Sequence, residues 1–201
     1  MTSLEGLYLP TFENCHLQNL VSLSAYDLPI LGYLDIQGIM ELLPGIEKID
    51  FEVKDSSIGT DQIQPSKHPR LKEISLRGER LKTISSGSLA GLKSNELSVS
   101  LKNTSLNALP PSLLFPVPRS SHLNLDITGS DVTNISPQFL TVIEDRRGSL
   151  KLDGLNSNPI HCDCNARALR RWLPSTHMVD VRCKTPEFLH NKKLIEVGMM
   201  S

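Results

Sequence analysis

Four residues near the C-terminal end of the chain could form one chemical site: His161, Cys162, Cys164 and Cys183. Thiolates and imidazoles are zinc ligands, and a cysteine beside a histidine can act as a nucleophile. The one-residue gap between the first two cysteines fits zinc poorly, because structural zinc sites usually space close cysteines by two to four residues. No motif supplies a phosphate loop or paired catalytic carboxylates. We therefore expect no catalytic residue, no metal and no cofactor, and zinc remains the alternative use of these cysteines.

A turn signal and a helical pattern surround these cysteines. An Asn-Pro pair precedes the first cysteine, and a proline follows the last one closely. Between them, apolar residues that include the single tryptophan recur at helical spacing, which predicts a short helix packed on an apolar surface. A packing role for the tryptophan is favoured over a ligand role. The residues assigned to this structural cap are Asn158, Pro159, Trp172, Leu173 and Pro186.

Upstream of the cap, apolar residues recur with a period of about 25 residues. With Leu71 as position zero, offsets 3, 5, 10, 13, 18 and 21 are apolar, and they are apolar again in units that start at Glu96 and His122. A weaker unit starts at Ile46 and loses register near Ser56, and a fainter one could start at Leu20. This spacing is the signature of leucine-rich repeats.

The offsets predict how each unit folds. Apolar residues at offsets 3 and 5 are two apart, so both face inward from one short strand, and stacked units bury them in a parallel sheet. Offset 8 carries Glu79, Thr104 and Ser130 where the repeat consensus has asparagine, so the turns are expected to be irregular. One short helix is predicted over 35–42, stopped by a Pro-Gly pair. Five prolines in the connecting segments argue against long helices there: Pro110, Pro111, Pro116, Pro118 and Pro137.

Residues 158–186 resemble the cysteine-rich C-terminal flanking region of extracellular leucine-rich repeat proteins, and look most like chaoptin-type and artichoke-type proteins. The resemblance implies a disulfide between Cys162 and Cys183, and a bridge from Cys164 to a fourth cysteine that is missing here. Cys15 is expected to be a buried thiol.

The fold implied by repeats and cap together is an α/β solenoid. It is a leucine-rich repeat horseshoe with a parallel concave sheet, a mostly irregular convex side and a small disulfide-stapled C-terminal cap. The expected organisation is 1–45 as degenerate or truncated N-terminal repeats, 46–157 as leucine-rich repeats, and 158–201 as an incomplete cap.

Outward strand positions, at offsets 2, 4 and 6, are the candidate binding face. The alternative is a plain solvated sheet face. Two sequons, at Asn103 and Asn134, fall in predicted turns and are candidate glycosylation sites. The residues assigned to the concave binding face are Asp50, Glu52, Glu73, Ser75, Arg77, Ser100, Lys102, Asn124 and Asp126.

The charge of the chain is uneven. Residues 1–100 carry 13 acidic and 9 basic residues, whereas residues 101–201 carry 9 acidic and 12 basic ones. This excess is interpreted as a solvated polar cap, with a patch for a polyanion or an acidic partner as the alternative. The basic residues concerned are Arg146, Arg147, Arg167, Arg170, Arg171, Arg182, Lys184, Lys192 and Lys193.

These features predict a non-enzymatic protein–protein interaction module of a secreted or cell-surface protein, in adhesion, matrix or a receptor ectodomain. The expected partner is a protein ligand, with no small-molecule substrate, and the net charge of −1 gives no reason to expect nucleic acid. No apolar run reaches the roughly 18 residues of a membrane span, although the parent protein could be anchored. The alternatives are an intracellular repeat adaptor with reduced or zinc-bound cysteines, and a non-functional fragment.

Overall fold

The computed structural model describes residues 17–26, 35–146, 148–176 and 178–198. The strands within them are β1 (Ser22–Ala25), β2 (Lys48–Glu52), β3 (Ser57–Ile58), β4 (Glu73–Gly78), β5 (Thr83–Ile84), β6 (Glu96–Thr104), β7 (His122–Asp126) and β8 (Leu150–Asp153). Six of these form one parallel sheet in the order β1-β2-β4-β6-β7-β8, and β3 pairs with β5 in a separate parallel pair. This is an α/β solenoid, in which each sheet strand is followed by a connection that returns to the start of the next.

The strand register pairs the residues that share an offset in the repeat frame. Ile49 pairs with Ile74, Ile74 with Val99, and Val99 with Leu125, which pairs with Leu152 on β8. All five are at most 5% exposed, so they form one continuous apolar row beneath the sheet. Because adjacent residues of a strand face opposite sides, the residues between them point away from the core.

The sheet is longer than the three strong units predicted. β1 holds the faint unit at Leu20, since Leu23 pairs with Ile49. β8 was not predicted, because Gly154 stands where the other units have an apolar residue at offset 5. A side chain at Gly154 would meet the backbone of Thr128, at 2.4 Å from its nitrogen, and the glycine has a φ of 83° that favours a residue without Cβ.

The unit that starts at Ile46 keeps its repeat structure beyond Ser56, where its apolar spacing departs from that of the other units. Ile58 pairs with Ile84, whose place is offset 13. Ile49 and Ile74 are partners in the six-stranded sheet. Ile58 follows Ile49 by nine residues, whereas Ile84 follows Ile74 by ten. A one-residue deletion therefore shifted the pattern, and the loss of register near Ser56 that the sequence indicated is only local.

Helices within the described residues are short. The predicted helix is present as α1 (Ile36–Glu41), where the Asp35 carboxylate accepts a 2.7 Å hydrogen bond from the Gly38 N–H. The cap contains α3 (Arg167–Trp172). Single turns of 3₁₀ helix lie at Pro65–Lys67, Ser86–Leu89, Pro111–Leu114, Leu155–Ser157, Cys164–Ala166, Leu173–Ser175, Glu187–Leu189 and Leu194–Glu196.

One of the five prolines lies in an α-helix. Pro137 does not prevent a helix but begins one, α2 (Pro137–Glu144), which is the longest helix among the described residues. Proline is favoured at the first helical position, where its missing N–H would have had no partner in the helix. The Ser136 hydroxyl caps the helix by accepting a hydrogen bond from the Phe139 N–H at 3.1 Å.

Two of the three residues at offset 8, Thr104 and Ser130, connect neighbouring turns, whereas Glu79 is exposed. Thr104 and Ser130 are each 3% exposed and hydrogen-bonded through their hydroxyls at 2.8 Å, and the Ser130 hydroxyl donates to the Leu101 carbonyl at 2.6 Å. Asn158 makes a similar connection: its amide donates to the Ile127 carbonyl at 2.9 Å and accepts from the Val132 N–H at 3.0 Å. Asn158, assigned to the cap, therefore also joins the last turn to the turn before it.

The C-terminal segment covers the end of the apolar core. Cys162 and Cys183 form a disulfide with their Cα atoms 5.5 Å apart, and both are buried. Leu169 and Leu173 are fully buried, and Trp172 is 8% exposed. These residues close the apolar end of the stack, as a terminal solenoid unit must.

Arg146 was wrongly assigned to the basic surface. It is 5% exposed, and its guanidinium donates to the carbonyls of Leu114, at 3.0 Å, and Pro118, at 3.1 Å, and also to that of Val117. Burial lowers its pKa. Arg146 thus ties the connection before β7 to the connection after it. Arg147, grouped with it in the sequence, and Cys15 lie outside the described residues.

Candidate functional site

The candidate site is the side of the six-stranded sheet that points away from the core. We call it the outer sheet face. The strand register arranges its residues in three rows across the sheet. The first row is Ser22, Lys48, Glu73, Ser98, Asn124 and Lys151, and the second is Ser24, Asp50, Ser75, Ser100, Asp126 and Asp153. The third row is Glu52, Arg77 and Lys102. All nine residues proposed from the sequence for the binding face therefore lie on this side.

A cluster of three side chains occupies the first part of the outer sheet face. The Arg77 guanidinium donates to both carboxylate oxygens of Asp50 at 3.2 Å, and its Cζ lies 4.3 Å from the centre of the Tyr26 ring. The Tyr26 hydroxyl also donates to Asp50. Arginine held against both a carboxylate and an aromatic face combines ionic and cation–π attraction.

Asp50 is not an available binding group in this arrangement, since it is 9% exposed. Burial alone would raise its pKa, but the hydrogen bonds from Tyr26 and Ser75 and the charge of Arg77 outweigh burial and lower the pKa of Asp50. The carboxylate is therefore charged at neutral pH and holds Tyr26 and Arg77 in place. Tyr26 is 39% exposed and stands at offset 6 of the faint unit that starts at Leu20. It was not predicted, because outward residues were assigned only in the units from Ile46 onward.

Most other charges on the outer sheet face are paired. Lys48 and Glu73 are 2.7 Å apart on neighbouring strands, and Lys151 and Asp153 are 2.6 Å apart along β8. Asp126 pairs with Lys102 at 2.8 Å and accepts hydrogen bonds from Thr128. Burial would raise the pKa of Asp126, but Lys102 and Thr128 together lower it. These pairs are partly exposed, so they order the surface more than they stabilise the fold.

Small uncharged residues lie between the charged groups. Ser75, Ser98, Ser100 and Asn124 occupy neighbouring positions on β4, β6 and β7. Among the described residues, no hydrogen-bond partner reaches the buried atoms Ser100 Oγ and Asn124 Oδ1. Short side chains leave the strands close to the surface, so this polar centre can be approached by a partner without displacing bulky groups.

The two sequons have different surroundings. Asn103 is exposed, with a left-handed φ of 52°, but it lies within β6 and not in a turn as expected. Asn134 is half-buried, and its Oδ1 is buried with no hydrogen-bond partner among the described residues. A glycosyltransferase must reach the side-chain amide, so Asn103 is the better placed of the two.

The cysteines do not form a metal site. Since Cys162 and Cys183 are bonded to each other, two of the four ligands imagined for zinc are taken, and the zinc alternative is wrong for this structure. No group of three or more metal-binding side chains occurs in the described part of the chain. His161 instead shares a 2.6 Å hydrogen bond with Thr185, and Cys164 is an exposed free thiol.

An open cavity of about 390 Å³ lies between β8 and the cap. Its apolar lining includes Leu150, Trp172 and Met178, and Lys151 and Asp153 stand at its edge. The two hydroxyls in its lining donate to backbone carbonyls: Ser175 to that of Trp172 at 2.7 Å, and Thr176 to that of Leu173 at 2.8 Å. Within the described ranges, no helix is long and apolar enough to cross a membrane.

Comparison with solved structures identifies the type of fold. The crystal structure of human 5T4 (Wnt-activated inhibitory factor 1, trophoblast glycoprotein) aligns with a TM-score of 0.54 and 18% identity, over 89% of this chain and 76% of that one. The fold is that of a leucine-rich repeat protein. At this identity the similarity extends to the fold and not to a function.

A second solved structure is less similar. The mouse RP105/MD-1 complex aligns with a TM-score of 0.48 and 16% identity, covering 90% of this chain but 36% of that one. That score is too low for the likeness to support an argument. No protein-family model and no curated protein sequence matches the chain.

Proposed function

We propose that this protein is a non-enzymatic module that binds a protein ligand through the outer sheet face. Its setting is a secreted or cell-surface protein acting in adhesion, in the matrix or as a receptor ectodomain. The observation that carries the proposal is the surface itself: an uncharged centre of short side chains with ordered charged groups on either side. The exposed Tyr26, held by Arg77 and Asp50, adds a rigid amphipathic contact beside that centre.

The arrangement suits a protein partner better than a small molecule. The face extends over six strands, and it has charged groups of both signs held in ion pairs. Tyrosine and arginine are enriched among the residues that dominate protein interfaces, which typically combine such anchors with a polar rim. The disulfide favours an oxidising compartment, where cysteine pairs persist, over the cytosolic adaptor considered as the alternative.

Ser100→Arg tests this function. Ser100 faces outward at the middle of the sheet, between Ser75 and Asp126 in register. Arginine there would occupy the polar centre without entering the core. We expect it to weaken binding to any true ligand at least about tenfold, the equivalent of roughly 1.4 kcal/mol. The measurement is equilibrium binding of the unaltered protein and of the variant to a panel of purified secreted proteins and ectodomains.

Ser120→Arg is the matched control, because Ser120 is exposed in the connection before β7 and is not on the outer sheet face. Ligands that S100R loses and S120R keeps would support the proposal. If S100R binds every ligand as tightly as S120R does, the outer sheet face is not the site. If no panel member binds the unaltered protein, the proposed function itself is contradicted.

We also propose that Asn103 carries an N-linked glycan when the protein is secreted. Its exposure, and the half-buried position of Asn134, support the order of occupancy Asn103 above Asn134. Glycopeptide mass spectrometry of protein from a secretory host measures both occupancies. A fully unmodified Asn103 beside a modified Asn134 would contradict this assignment.

A further inference from the structure

We propose that the cap carries a second binding site, for a sulfated polysaccharide of the heparin type. The site is the cap basic cluster, formed by Arg170, Arg182, Lys184, Lys192 and Lys193. It lies outside the outer sheet face and is independent of the protein-binding function proposed above.

Backbone pairing brings the cluster together from two segments. Arg182 forms an antiparallel bridge with Lys193, and the Cys183 N–H donates to the Lys192 carbonyl at 2.9 Å. Val181 and Cys183 are buried, whereas Arg182 and Lys184 are exposed, so this segment turns its basic residues outward. The disulfide at Cys183 fixes the position of the segment.

Arg170 joins the cluster from helix α3. Its Nε donates to the carbonyl of Ile195 at 3.3 Å, two residues beyond Lys193. The helix and the second basic segment are therefore adjacent, and five cationic side chains come from three parts of the cap. A linear polyanion can contact cations from several adjacent segments at once, because its charges repeat along its length.

The cluster retains net positive charge. Asp180 accepts from Arg182 at 2.9 Å and lies 3.5 Å from Lys193. Lys184 and Lys192 are exposed, and within the described residues neither has an ion-pair partner. Over residues 158–201 there are seven basic and four acidic residues, whereas the preceding part of the chain has an acidic excess. Unpaired exposed cations attract anionic ligands, and most of the repeat charges are already neutralised by neighbours.

The disulfide decides which polyanion is favoured. Nucleic acids and the anionic lipids of the cytoplasmic leaflet belong mainly to compartments in which thiols stay reduced. A protein whose cap contains a disulfide meets sulfated polysaccharides instead, and basic patches are a known means of binding heparin-like chains.

Heparin-affinity chromatography tests the site. We expect the unaltered protein to be retained above about 0.15 M NaCl, and K184E/K192E to elute at a concentration at least roughly 0.1 M lower. Both lysines are exposed, so the substitutions should leave the melting temperature unchanged. K82E/K93E is the matched control, because Lys82 and Lys93 are also exposed lysines, and the change in net charge is the same.

Three outcomes would overturn the proposal. The first is no retention of the unaltered protein, and the second is equal loss in K184E/K192E and K82E/K93E, which indicates net charge without a site. The third is equal retention on desulfated heparin or on polyglutamate, which indicates a carboxylate-rich partner. The S100R variant should be retained like the unaltered protein, so failure of this site and failure of the protein-binding face are distinguishable.

Discussion

Arg146→Met is expected to lower the free energy of unfolding by about 3–5 kcal/mol. The guanidinium is buried and donates to three carbonyls of the preceding connection, at Leu114, Val117 and Pro118. Methionine fills much of the volume but donates nothing, so the Val117 carbonyl in particular loses its charged donor. The corresponding fall in melting temperature is on the order of 10 °C, measured by calorimetry or circular dichroism.

Arg119→Met is the control for this prediction. Arg119 lies in the same connection as the three carbonyls. Its side chain is 80% exposed, and its guanidinium lies 3.8 Å from the Asp145 carboxylate. Such a surface pair contributes little, so this variant should lose no more than about 0.5 kcal/mol. Equal, small effects of the two substitutions would show that Arg146 does not tie the two connections together.

Replacing Cys162 and Cys183 by alanine is the second large effect. The cysteines are 21 residues apart in sequence, and a bridge closing a loop of this size stabilises the folded state by about 3 kcal/mol. The cap segment from 181 to 194 should loosen before the repeats do, since its pairing depends on a few backbone hydrogen bonds. The measurement is the hydrogen-exchange rate of the backbone amides at positions 183 and 194, compared with the rates of the amides in β4 and β6.

Cys164→Ala separates the bridge from the loss of a thiol. Cys164 is exposed and unbonded, so the variant should unfold at the same denaturant concentration as the unaltered protein. A cap that exchanges no faster in C162A/C183A than in C164A would contradict the stabilising role given to the disulfide.

The strand register could be predicted because it follows from apolar spacing alone. Ile74, Val99 and Leu125 share offset 3, and the structure pairs them. β8 was missed because Gly154 interrupts the pattern, and the second half of the unit that starts at Ile46 was missed because Ile58 follows Ile49 by nine residues instead of ten. Deletions and glycines change spacing without changing the fold, so a fixed period misses them.

The polar interactions were harder to predict for a different reason. Arginine is usually a surface residue, so Arg146 was expected at the surface. Its burial depends on three carbonyls of another repeat that accept its hydrogen bonds. Tyr26, which follows β1 directly, meets Asp50 on β2 and Arg77 on β4, and a period describes all three only as outward positions. The sequence therefore predicted which residues face outward from the sheet, whereas the contacts among them depend on how neighbouring repeats meet.

The oxidation state of the cap tests the account most directly, because the compartment decides which partners the protein can meet. We would map the peptides of folded, monodisperse protein from a secretory host by non-reducing mass spectrometry. The account predicts a linked Cys162–Cys183 peptide, with Cys164 open to alkylation before unfolding. If Cys162 and Cys183 both alkylate freely in the folded protein, the extracellular interaction module proposed here is contradicted.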